Sequence, residues 1–135
     1  MTRNQINEFL KITQQLNQLA IIPLLMGSVG LEIVTQKDLQ AQDIDIHVPG
    51  TKGGWEIPAE NQIHQWCAII SVMESLGYQL ADLHEHEFVK DDLSVGFASV
   101  NTLPTFAGIE LSDLILKQQD NLSYYLLSSE QFLSV

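Results

Sequence analysis

The chain reads as an α+β protein, and three observations predict this. Residues 2–20 place Ile6, Phe9, Leu10, Thr13, Leu16, Leu19 and Ala20 at three- and four-residue steps, one apolar stripe along a helix. Asp43 to Val48 alternates with period two: Ile44, Ile46 and Val48 face one way, Asp43, Asp45 and His47 the other. Residues 114–127 spell two strand-like runs, L-I-L-K-Q-Q and L-S-Y-Y-L-L, around an Asp-Asn turn, a C-terminal β-hairpin.

The remaining elements follow in order. Ile21-Ile22 leads through Pro23 into Leu24-Leu25-Met26, a short apolar run expected to be a strand buried on both faces, with Pro23 at its tolerant start. Gly27 ends it and Ser28 is a good N-cap for a short helix carrying Leu31, Ile33 and Val34; Gln36 to Gln42 is a polar connection. The 50–54 segment is a flexible loop by composition. Pro58 opens a helix with Glu60 in its first turn, a buried stripe of Ile63, Trp66, Cys67, Ile70, Met73 and Leu76, and Gly77 at its C-terminal cap. From Tyr78 the pattern is that of strand, and Lys90-Asp91-Asp92-Leu93 is a tight turn into Leu93–Val100. Asn101 to Gly108, with Pro104, is expected to be loop. Ser128 or Ser129 would cap a last helical turn, and apolar residues still arriving at Val135 point to a chain that extends slightly further.

The bulk numbers bound the function. One hundred and thirty-five residues suffice for a single domain over 1–135 with one core. Seventeen acidic against six basic residues give −11 and a pI near 4.4, which disfavours nucleic acid and anionic membranes as partners. Cys67 is the single cysteine, so no intrachain disulfide forms and a cytoplasmic location is expected. There is no signal-peptide pattern and no apolar run long enough to span a bilayer.

The chemistry is concentrated between Pro23 and Val48. Gly27-Ser28 at a helix start offers backbone N–H groups and a hydroxyl, the means by which a chain holds phosphate. Asp43 and Asp45, one residue apart on a strand, share a face. A solvated face in an acidic protein would look the same; the order of Gly-Ser turn and acid pair favours a site. That order, Met26-Gly27-Ser28, a helix, then Asp43-Ile44-Asp45-Ile46, resembles the nucleotidyltransferase superfamily, over residues 22 to about 100. Fourteen residues separate Ser28 from Asp43, towards the long end for the family. The resemblance implies a mixed or antiparallel sheet with helices packed on one face. It also implies Mg2+ on Asp43 and Asp45, the phosphates of a nucleoside triphosphate at Gly27 and Ser28, and transfer of a nucleoside monophosphate to a small-molecule or protein acceptor.

The family also expects a third acid on a neighbouring strand. Leu93–Val100 has none, and the equivalent position is Gly96. If Asp91-Asp92 is a two-residue turn, Lys90 opposes Leu93, Glu87 opposes Gly96 and Glu85 opposes Ala98. Glu87 could then reach over the bare Gly96 and complete the metal set, whereas a one-residue slip would turn it to the other face.

Other residues carry less. His47 follows the acid pair on the same face, where a group supporting the site or substrate and a simply exposed residue both fit, the second being expected. His84 and His86 share a strand face, as transition-metal ligands would, but lack a third partner; an exposed edge strand accounts for them. Cys67 is expected to be buried and inert beside Trp66. For the Gly-rich loop with Lys52 and Trp55, a mobile lid and an idle surface loop both fit; it lacks the Gly-Lys-Ser/Thr ending of a P-loop. Two functional classes therefore stand: a small nucleotidyltransferase, and a catalytically inactive relative that binds or regulates a protein partner, as antitoxin-like members do.

Overall fold

The computed structural model describes residues 3–26, 43–53, 56–128 and 131, with Arg3, Asn4 and Phe106 described by backbone alone. The Gly27-Ser28 turn, the helix at 31–34, the 36–42 connection, Trp55 and the chain end at Val135 lie outside these residues. Helix α1 (Arg3–Gln18) precedes β1 (Leu24–Met26) and β2 (Asp43–Val48); α2 (Ala59–Gln62) and α3 (Trp66–Ser75) follow. Strands β3 (Gln79–Asp82), β4 (Glu87–Lys90) and β5 (Leu93–Ser99) come next, then a 3-10 turn and α4 (Leu103–Phe106), and finally β6 (Ile115–Gln119) and β7 (Leu122–Leu126).

The strands form one seven-stranded sheet in the order β3-β4-β5-β2-β1-β7-β6. It is mixed: β2 runs parallel to β5 and β1 parallel to β7, and the other neighbours are antiparallel. The inward residues of β2, Ile44, Ile46 and Val48, meet Val95, Phe97, Phe88 and Leu25 on one face, against which α1 and α3 deliver Phe9, Ile12, Leu16, Trp66, Ile69 and Met73. Strand β1 is buried throughout, as its unbroken apolar run predicts. Its Leu24 and Met26 belong to a smaller cluster on the opposite face with Leu103, Ile109 and Leu127. Both hairpin turns are where the sequence puts them. Asp120 and Asn121 have φ of +51° and +67°, the left-handed pair that a two-residue type I′ turn requires.

Four expectations are corrected. The buried stripe of α1 is displaced from the apolar pattern: Phe9, Thr13 and Leu16 are inside as expected, but Gln5, Glu8 and Ile12 join them, while Ala20 is exposed. The reason is polar. Glu8 accepts from Tyr78 Oη at 2.8 Å, Lys90 Nζ at 2.6 Å and Lys11 Nζ at 3.0 Å, so its charge is matched inside. Second, the helix expected from Pro58 to Leu76 breaks at Ile63–Gln65. Ile63 is extended and bridges Gly50, Thr51 N–H donates to Gln62 O at 2.9 Å and His64 N–H to Pro49 O at 3.1 Å. A β-carbon on Gly50 would collide with Gln62 O and come within 2.6 Å of Ser99 Oγ, so glycine is what lets this approach occur. Third, restarting at Trp66 puts Ile69 rather than Cys67 on the buried stripe, and Cys67 is exposed. Fourth, Val100–Thr102 and Leu103–Phe106 are helical turns rather than loop; Pro104 is accommodated in the first turn, and Ser99 Oγ accepts from Asn101 N–H.

Ser128 and Gln131 form a reciprocal capping box: Gln131 N–H donates to Ser128 Oγ at 3.1 Å and Ser128 N–H to Gln131 Oε1 at 2.8 Å. Among the described residues no helix is long and apolar enough to cross a membrane.

Candidate functional site

The site is built on the sheet face away from α1 and α3. Because β2 alternates, burying Ile44, Ile46 and Val48 leaves Asp43 and Asp45 exposed, with His47 half-buried on the same side. The parallel pairing with β5 sets Asp43 opposite Ser94, Asp45 opposite Gly96 and His47 opposite Ala98. On the other side of β5, the tight turn at Asp91-Asp92 sets Lys90 opposite Leu93 and Glu87 opposite Gly96. The expected register therefore occurs, and Glu87, Gly96 and Asp45 lie in one row across three neighbouring strands. Glu85, expected opposite Ala98, instead sits in the 83–86 turn between β3 and β4.

Gly96 leaves the middle of this row empty: a β-carbon placed there would stand 3.7 Å from Asp45 Oδ1. Glu87 leans diagonally across β5, and Ser94 Oγ donates to its Oε2 at 2.9 Å. Asp45 records the crowding. Although the residue as a whole is exposed, desolvation of its carboxyl, then the Asp43 charge, then the Glu87 charge raise it above the ordinary aspartate value. Among the described residues no Lys or Arg pairs with any of the three acids; the ion pairs lie on the opposite face, at Glu8.

In kind, this donor set fits a hard divalent cation: all oxygen, on adjacent strands, mutually repelling and unmatched by a basic side chain. In position it is not closed, since among the described residues no three His, Cys, Asp or Glu groups converge tightly enough to hold an ion as they stand. Gly27 and Ser28, the expected phosphate grip, lie outside the described residues; Met26, just before them, pairs with Asp45 across β1 and β2.

The histidines differ from expectation. His47 is half-buried rather than exposed, burial lowers its pKa to about 4, and its Nδ1 is enclosed without a partner among the described residues. It is a neutral ring beside Asp45. His84 and His86 lie in a turn, not on a strand. His86 is buried, its Nε2 donates to Ala59 O at 2.7 Å, and its ring meets Trp66 edge-on at 4.8 Å. That is a structural role at the β3–β4 corner. Beyond Ala98 the face opens into a cleft of about 530 Å³ lined by Gly53, Pro58, Gln62, Glu85, Ala98 and Thr102, among others. Reading the chain alone singled out neither Ser94 nor Glu8. Ser94 was legible, because it shares a strand face with Gly96; Glu8 was not, because its partners Tyr78 and Lys90 are distant in sequence.

No family model matches the chain. It is 37% identical over 130 residues to the uncharacterized protein YnaI of Bacillus subtilis (strain 168), an alignment covering 96% of this chain and 78% of YnaI. The chain belongs to the YnaI family. Its architecture is similar to the crystal structure of an antigenic nucleotidyltransferase-like protein from Paracoccidioides brasiliensis, with a TM-score of 0.66 over 98% of this chain. Sequence identity there is 12% and the chain spans 65% of that protein's length, so the likeness is one of fold. The YnaI-family chain thus has a nucleotidyltransferase-like fold, with the mixed sheet and C-terminal hairpin that the sequence predicts.

Proposed function

We propose that this protein is a metal-dependent nucleotidyltransferase that transfers a nucleoside monophosphate from a nucleoside triphosphate to a small-molecule or protein acceptor. The observation that carries the reading is the row Asp45–Gly96–Glu87, in which the acid lacking from β5 is met by one from β4 across the only side-chain-free position of that strand. Asp43 and Asp45 would hold Mg2+, with Glu87 as the third carboxylate. Gly27 and Ser28 would hold the phosphates through backbone N–H groups and the hydroxyl. The cation, when bound, supplies positive charge to the phosphate oxygens. The acids themselves fix its place, and their mutual repulsion gives the site a reason to take up a cation. His47, neutral and half-buried, would contribute hydrogen bonding rather than charge.

A binding or regulatory role, without catalysis, is the reading favoured by the same Gly96 if Glu87 does not act as a ligand. Calorimetry with the four common nucleoside triphosphates, with and without Mg2+, separates the two. Triphosphate binding that requires Mg2+ and is lost in Asp43→Asn/Asp45→Asn is the expected result. Absence of binding under every condition, or binding that persists in the double variant, overturns the enzyme reading.

A further inference from the structure

We infer that the cleft beyond Ala98 binds a small organic cation whose head group only donates hydrogen bonds, an alkylammonium or a guanidinium. Four donors on its wall are spent inside the fold. Ser99 Oγ donates to Thr51 O at 2.7 Å, Thr102 Oγ1 to Ser99 O at 2.8 Å, and Gln62 Nε2 to Ile57 O at 2.7 Å. His86 Nε2 donates to Ala59 O at 2.7 Å, so the neutral ring keeps a lone pair at Nδ1. His86 is only 4% exposed. Its Nδ1 nevertheless has no protein partner among the described residues and, unlike Nδ1 of His47, is not enclosed. An acceptor left open in so buried a residue needs a donor from within the cleft.

Charge points the same way. Glu56 and Glu85 are exposed carboxylates on the wall, and among the described residues no Lys or Arg lines it; Lys52, next to Gly53, is not on the wall. His84, exposed at the rim, can offer either a proton or a lone pair. The complement of lone pairs under negative charge is a cation that only donates. Ile57, Phe97 and Ala98 add apolar surface for the carbon chain that carries it. The volume of about 530 Å³ lies within the about 300–1,000 Å³ of small-molecule sites. The site stands whether or not the proposed transfer occurs. Under that reading its occupant is the acceptor, because Ala98 on the wall stands opposite His47, about 7 Å along β2 from Asp45.

Calorimetry on the full chain, without Mg2+ or nucleotide, tests the site with putrescine, agmatine and the neutral diol of putrescine's length. At least one of the two cations should bind saturably at one equivalent, and the diol should not. Glu85→Gln should weaken that binding about 5-fold. Glu110→Gln, which removes an exposed acid that does not line the cleft, should change nothing. Ala98→Leu, which fills the cleft, should abolish binding with thermal unfolding retained; if that variant unfolds, the two glutamate variants decide alone. In proton–nitrogen correlation spectra the His86 ring signals should shift on binding, while those of His64, exposed and off the wall, should stay. No saturable binding of either cation, equal weakening by Glu85→Gln and Glu110→Gln, or unmoved His86 signals overturns the site. Failure of triphosphate binding, measured separately, would remove the acceptor role and leave the cation site standing.

Discussion

Glu8 and Asp45 are acids of one acidic protein on opposite faces of the same sheet, and their surroundings move them in opposite directions. Burial alone would raise the Glu8 carboxyl, but hydrogen bonds from Lys90, Tyr78 and Lys11 outweigh it and hold the group at about 2. Asp45 has a partly desolvated carboxyl and two more acids for company, and it moves up. One acid is neutralised by the fold and serves cohesion; the other is left unmatched, which costs stability and leaves a charge for something else to meet. An unmatched charge of that kind is what the proposed metal site would draw on.

The comparison can be broken most forcefully at Lys90. Lys90→Met removes the shortest of the contacts to Glu8 and leaves a buried carboxylate under-matched, so we expect a loss of about 3 kcal/mol in urea unfolding. A loss below about 1 kcal/mol would put this pair with ordinary surface ion pairs. Tyr78→Phe deletes a buried hydroxyl that donates to the same carboxylate. It should cost about 2 kcal/mol, the usual worth of a hydrogen bond to a charged group.

Acid unfolding sharpens the contrast further. Because the folded Glu8 value lies near 2 against 4.5 for the free group, its contribution is complete above pH 4.5 and is lost as pH falls towards 2. Glu8→Gln should therefore flatten the stability profile in that window and leave its shape above pH 5 unchanged. Asp45 has the opposite sign: its folded value is raised, so ionising it disfavours the folded state, and stability falls as pH rises through the carboxylate range. Asp45→Asn should gain about 0.5 kcal/mol at pH 7, in keeping with relief of a like-charge contact between strands, and nothing at a pH where the carboxyl is protonated. A variant that lost stability at pH 7 would mean that Asp45 has a favourable partner.

The same pair shows what a sequence does and does not disclose. Asp43 and Asp45 were legible because a strand's alternation is local and needs no partner to be read. The register of Glu87 against Gly96 was legible because a two-residue turn fixes the pairing of the strands it joins. The burial of Glu8 was not legible, since it depends on Tyr78 and Lys90, seventy and more positions away. The break at Ile63 was hidden for a similar reason: helix propensity there yields to a pairing with Gly50, which lies in a different segment. His47 followed the alternation correctly, but its half-burial depends on a position between Leu24 and Ala98 on two flanking strands, which alternation alone does not disclose. Short-range patterns, then, carry facing and turns; cross-chain contacts decide which polar residues go inside.

The pairing of β2 with β5 has a kinetic side. The two strands run parallel, so no short turn can join them, and everything from Pro49 to Asp92 must be threaded between them before they meet. The β4–β5 hairpin that carries Glu87 can close on its own, whereas the aspartates reach it only after that long excursion has been gathered in, at a price in chain entropy. Loop-closure entropy therefore predicts that Glu87 meets the two aspartates after its own hairpin has closed, an order that φ-values at Val89 and Ile44 would test. Only that late step brings the acid of β4 into the field of the acids of β2.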